Sequence, residues 1–158
     1  MGQYYIIANL DKRQFINPHS FGDGAKLMEF GASGSGIMCG LAILLSDGND
    51  RGGGDLHVPE NAPEELKSLV GSWAGDRIVV SGDYADKGVF TDDGKRNLYE
   101  LCGTSQFENI SEKVIEVMCF DPYLKRDLVE RTDWLDAEKL PECLKESRHE
   151  KEQSTAKG

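Results

Sequence analysis

Gln3-Tyr4-Tyr5-Ile6-Ile7-Ala8-Asn9-Leu10 decides the fold. Aromatic and β-branched side chains dominate it, and these suit a pleated surface, so the segment reads as a strand. Arg77-Ile78-Val79-Val80-Ser81 reads as a second strand, of the kind buried on both faces. Asp11-Lys12 forms a turn, and Gln14-Phe15-Ile16 folds back from it as a short third strand. The remaining apolar stretches carry helical signals. Ala25–Phe30 fits one helical turn with Leu27, Met28 and Phe30 inward. Ile37–Leu45 is apolar nearly all round, as a buried helix is. Pro63 opens a short helix to Leu69, since proline suits a first helical turn. Asn97–Leu101 reads as either a short helix or a strand. Ile110, Val114, Val117 and Met118 keep helical spacing, with Ser111 as the candidate N-cap. Asp121-Pro122 starts a further helix through Leu124 and Leu128, and Leu140 with Leu144 marks a last amphipathic piece. The sum is an α+β fold: a small mixed or antiparallel sheet wrapped by helices, with a helical C-terminal part.

Composition bounds the function. The 158 residues make one domain, expected over residues 1–144, with a polar tail over 145–158 expected to be disordered. A formal net charge of -10 argues against non-specific binding to nucleic acid or anionic membrane, which needs a basic surface. The longest near-apolar run is Ile37–Leu45, far short of the ~20 residues a membrane span needs. The first residues lack a signal-peptide pattern, and Ile6 breaks the myristoylation motif. Cys39, Cys102, Cys119 and Cys143 are scattered, and none forms a CxxC pair. They read as free thiols in a reducing compartment, so a cytoplasmic location is expected.

Four glycine-rich segments are the candidate site. Gly31-Ala32-Ser33-Gly34-Ser35-Gly36 ends where the helix at Ile37 begins. Helix starts offer unsatisfied N–H groups and partial positive charge, and glycine lets a ligand approach the backbone, so Ser33, Gly34, Ser35 and Gly36 suit an anion. The same stretch also reads as a connector with a helix cap, and neither GxGxxG nor GxxxxGK[ST] is present. In Arg51-Gly52-Gly53-Gly54-Asp55, Arg51 is a clamp for phosphate or carboxylate and Gly53 a point of close approach; the alternative is an open surface loop. Asp76 and Arg77 precede the second strand, and Asp83 follows it; each also reads as an ordinary turn residue. Phe21-Gly22-Asp23-Gly24 is the fourth segment. Trp73 reads as core, Cys39 as a buried thiol, and His19 as a loop residue.

Asp55-Leu56-His57, followed by Gly82-Asp83-Tyr84-Ala85-Asp86-Lys87-Gly88, resembles the first two metal-binding motifs of the calcineurin-like metallophosphoesterases. The resemblance implies that Asp55 and His57 bind one divalent metal and that Asp83 bridges two, supplying a hydroxide for attack on a phosphate ester. It covers about 34 residues, Lys87 replaces the usual arginine, and the later GNH[ED] motif is absent. Over residues 1–123, the segments MGQYYIIANLD, FGDGAKLMEF and WAGDRIVVSGDY together resemble a set of small uncharacterised bacterial and phage proteins, a likeness that implies no reaction.

Three functions follow as expectations. The first is a non-enzymatic binding module whose glycine loops hold an anionic small molecule such as a nucleotide (a nucleotide sponge if the source is a phage). Arg51, Arg77 and Lys26 would supply its counter-charge. The second is an interaction or inhibitor protein whose acidic surface docks on a basic protein. The third is a metal-dependent phosphoesterase using Asp55, His57 and Asp83. A homo-oligomer is compatible with each.

Overall fold

The computed structural model describes residues 2–157. Four strands form one mixed sheet: β1 (Tyr5–Asn9), β2 (Gln14–Ile16), β3 (Ile78–Gly82) and β4 (Glu108–Asn109), in the order β3-β1-β2-β4. Central β1 runs antiparallel to both neighbours, pairing Ile7 with Ile16 on one side and with Val80 on the other. The sheet is mixed because β2 pairs with β4 in parallel. Seven α-helices surround it among the described residues: α1 (Leu27–Phe30), α2 (Ile37–Leu45), α3 (Glu64–Lys67), α4 (Leu98–Cys102), α5 (Ser111–Met118), α6 (Pro122–Arg131) and α7 (Glu142–Lys157). The fold is α+β.

Strand alternation explains why β1 is apolar throughout. Ile7 points to one face with Ile16, into a large core with Phe21, Ile37, Trp73 and Ile115. Ile6 and Ala8 point to the other, into a smaller core with Leu98, Leu101 and Phe107. Successive side chains on a strand face opposite ways, so a strand covered on both sides has no polar face. Burying each isoleucine contributes about 1.5–3 kcal/mol. Trp73 is fully buried, and its indole N–H donates to Gln14 Oε1 at 2.9 Å.

Several local expectations are corrected. Val80 is 42% exposed because β3 is an edge strand that the helical layer does not cover there. Met28 is 81% exposed and Leu27 half-exposed; only Phe30 of α1 enters the core, since a single turn offers one inward position. Ser111 is not a cap: its hydroxyl donates to Asn109 Oδ1 at 2.6 Å and accepts from Asn17 N–H at 2.9 Å, tying α5 to the sheet. Asp121 does cap α6, accepting from Tyr123 N–H at 2.8 Å. Residues 145–157, expected from their charge to be disordered, continue α7, and Gly158 lies outside the described residues. Leu140 and Leu144 anchor its base in the core, and Arg148 reaches the carbonyls of Thr132 and Leu135. No helix among the described residues is long and apolar enough to cross a membrane.

Candidate functional site

The glycine loops settle in three separate places. Phe21-Gly22-Asp23-Gly24 and the Gly31–Gly36 loop meet at the start of α2. Asp23 is buried there, its carboxylate accepting from Ile37 N–H at 2.8 Å and pairing with Arg131 of α6. Burial pushes the Asp23 carboxyl above its ordinary pKa, while the Ile37 N–H and the Arg131 guanidinium pull it back. Gly22 takes φ +80, and a Cβ there would strike the Arg131 backbone. Ser35 Oγ donates to Asp127 at 2.7 Å, Ser33 Oγ is buried beside the Asp23 carboxylate, and Gly34 faces open space. The α2 terminus that sequence assigns to an external anion therefore already holds an internal one. A second anion would face the Asp23 charge.

Arg51-Gly52-Gly53-Gly54-Asp55 lies in the second place, on an outer loop. A Cβ at Gly52, Gly53 or Gly54 would meet nothing within 4 Å, so packing does not require glycine at these positions. The backbone N–H groups of Arg51 and Gly52 donate to Asp55 at 2.9 and 3.0 Å, which holds the Asp55 carboxyl below its ordinary pKa. His57 Nδ1 sits 3.3 Å from Asp50, exposed to solvent. Asp83 lies just past β3, accepting from Tyr4 N–H at 2.9 Å. Asp55, His57 and Asp83 are not gathered, and no group of three such ligands among the described residues is placed to hold a metal. The phosphoesterase motif lacks the buried strand that would bring its two parts together: Asp55 follows a glycine loop.

The third place is a groove of about 280 Å3 beside the β1–β2 turn. Antiparallel pairing sets Asn9 opposite Ile78, so Arg77 falls beside Leu10 and the turn that carries Arg13. Arg13 and Arg77 both line the groove, with Leu10 and Leu101 apolar, Phe90 and Phe107 aromatic, and Asp92 acidic. Arg77 is held by Asp11, its Nε and Nη2 donating to Oδ1 at 3.0 and 2.8 Å. The guanidinium and backbone N–H of Arg77 keep the Asp11 carboxyl below its ordinary pKa. Asp76 does not enter the groove; it accepts from Asn9 Nδ2 at 2.9 Å and Lys12 Nζ at 2.5 Å, and both bonds lower its pKa. Arg13 lies over the Phe107 ring at 5.9 Å, bonds Gln106 at 3.3 Å and stands 3.8 Å from the fully exposed Asp92. Its φ of +54 is left-handed, a conformation that strains an L side chain by about 1–2 kcal/mol and that glycine would take freely.

The groove thus joins two guanidinium groups to an aromatic and aliphatic wall, in a chain with a large acidic excess. Guanidinium forks suit phosphate or carboxylate, and the rings suit a flat ligand part. Sequence reading found Arg77 but missed Arg13, Phe90 and Phe107; the available signal was the register between the two strands, which places residue 77 against the first turn. Lys26 and Arg51 lie outside the groove. No protein family, curated protein or solved structure matches this chain.

Proposed function

We propose that this protein is a non-enzymatic binding module that takes a small anion bearing a flat ring, such as a nucleotide, in the Arg13–Arg77 groove. One observation carries the reading: two arginines converge on a groove walled in part by Phe90 and Phe107, and the carboxylates that pair with them are exposed, whereas the start of α2 is filled by the buried Asp23. The pairs Arg77–Asp11 and Arg13–Asp92 are exposed and screened by solvent, so an anionic ligand competes with the carboxylates for the guanidinium groups. The volume suits a mononucleotide-sized or smaller molecule, near the low end of known ligand pockets. Free thiols accord with a cytoplasmic location.

A thermal-shift panel of nucleotides and aryl phosphates tests the proposal. A ligand at 100 times its Kd stabilises by about 2.7 kcal/mol, a rise in Tm of roughly 5–10 °C for a chain of this size. Arg13→Gly is the informative variant: it relieves the left-handed strain, so the fold holds, yet it removes one guanidinium and lowers the ligand response. A flat panel with wild type defeats the reading.

A second reading is favoured by a different observation. Tyr4, His19 and Trp134 form an edge-to-face ladder, with centroids 6.4 and 5.7 Å apart, and both outer rings are exposed. Exposed aromatic anchors on an acidic protein suit docking to a basic partner. Binding of an arginine-rich peptide, followed by Trp134 fluorescence and weakened by salt, supports it; a signal unchanged by the peptide at low salt removes it.

A further inference from the structure

Cys119 ends α5, and Cys143 lies in the first turn of α7. Their Sγ atoms share a hydrogen bond at 3.1 Å, although 24 positions separate them in sequence. Both thiols are free and half-buried against the core. A disulfide holds its sulfurs about 2.05 Å apart, so closure needs roughly 1 Å of approach. Among the described residues, Cys39 and Cys102 have no comparable partner.

We propose that Cys119 and Cys143 are a dithiol–disulfide site, oxidised by a small-molecule disulfide of the glutathione class, that staples α7 to α5. Cys143 attacks first: its thiolate displaces one glutathione thiol from glutathione disulfide and leaves a mixed disulfide. Cys119 then gives up its proton and attacks Cys143 Sγ, forming the protein disulfide and releasing the second glutathione. Two electrons pass from the protein to the oxidant, and the two thiol protons end on the two glutathione molecules.

The order of attack follows from position. Cys143 stands at a helix N-terminus, where partial positive charge favours a thiolate, and Cys119 at a helix C-terminus, where it does not. The hydrogen bond between them pulls the Cys143 thiol down and pushes the Cys119 thiol up, while burial raises both. Lys125 favours the Cys143 thiolate and Glu116 opposes it. The staple has a structural consequence because the outer half of α7 rests on α6 through long polar contacts, Lys151 to Glu130 being 4.0 Å apart.

The full chain, reduced and then incubated with glutathione disulfide, is denatured, alkylated and weighed. The expected result is alkylation of two thiols where the reduced protein takes four, a Cys119–Cys143 peptide in the digest, and reversal by dithiothreitol. Closing a loop of this length raises the Tm by about 10 °C. Amide exchange across Glu142–Lys157 slows in the oxidised protein. Cys119→Ser stops at the mixed disulfide on Cys143, and Cys143→Ser keeps its remaining thiols free. Four alkylated thiols after oxidation, a glutathione adduct that never closes in wild type, or a disulfide joining another pair overturns the proposal.

Discussion

Arg131→Met is the sharpest test of how the first two glycine loops are held. Arg131 is the counter-ion of Asp23, whose side chain is 2% exposed while that of Arg131 is 29% exposed. Removing one partner of a buried ion pair generally costs 3–5 kcal/mol, because the other charge stays behind uncompensated. Water reaches the Arg131 side, so the lower end applies, about 3 kcal/mol, or a fall in Tm of roughly 6–12 °C. The sign of the pH dependence follows from the raised pKa of Asp23. The folded protein holds the proton more tightly than the unfolded chain, so stability falls as pH rises from the ordinary carboxyl value toward the folded one. Losing Arg131 widens that interval, because its guanidinium is one of the groups pulling the pKa down. The variant's deficit therefore shrinks as the buffer is taken from about pH 7 toward pH 5. In an Asp23→Asn background the same substitution loses little more than packing, since the amide oxygen still accepts from Ile37 N–H; the coupling between the two sites is about 2 kcal/mol. Circular-dichroism melts of the four proteins at both pH values give every term. A deficit under 2 °C at pH 7, or the same deficit in both backgrounds, refutes the reasoning.

The other predictions concern packing and the groove. Gly22→Ala lowers stability by about 3 kcal/mol or more, because it combines left-handed strain with a clash at the Arg131 backbone. Gly53→Ala shifts it by less than about 0.5 kcal/mol, since a Cβ there meets open space; chemical denaturation compares the two directly. Trp73→Phe strands Gln14 Oε1 and loses about 1–3 kcal/mol, measured by urea unfolding. Asp11→Ala removes the carboxylate that holds the Arg77 guanidinium and tightens binding of any ligand found in the panel by up to about fivefold, read by calorimetric titration.

Much of the architecture was legible because it rests on local rules. Tyr5 to Asn9 is unambiguous as a strand, and Asp121-Pro122 as a helix start, because propensity and capping act within a few residues. α7 was not legible as one helix for a matching reason. Charge alone suggested disorder, but Leu140, Leu144 and the Arg148 contacts to Thr132 and Leu135 fix the helix from outside its own sequence. β4 is two residues long and carries no pattern of its own; it exists because β2 offers it an edge.

The site divides along the same line. By itself, the chain's order of residues determined the apolar central strand, the acidic balance and the set of glycine loops, since each depends on composition or on spacing within one segment. Tertiary structure alone decided which donors stay open to a ligand. Asp23 reaches Ile37 N–H and Arg131 across long sequence separations, and Asn9 faces Ile78 only through strand register. An N–H or a guanidinium is closed to a ligand where a buried carboxylate of the same molecule has folded against it, as Asp23 has at the start of α2, and that is a property of the packed chain.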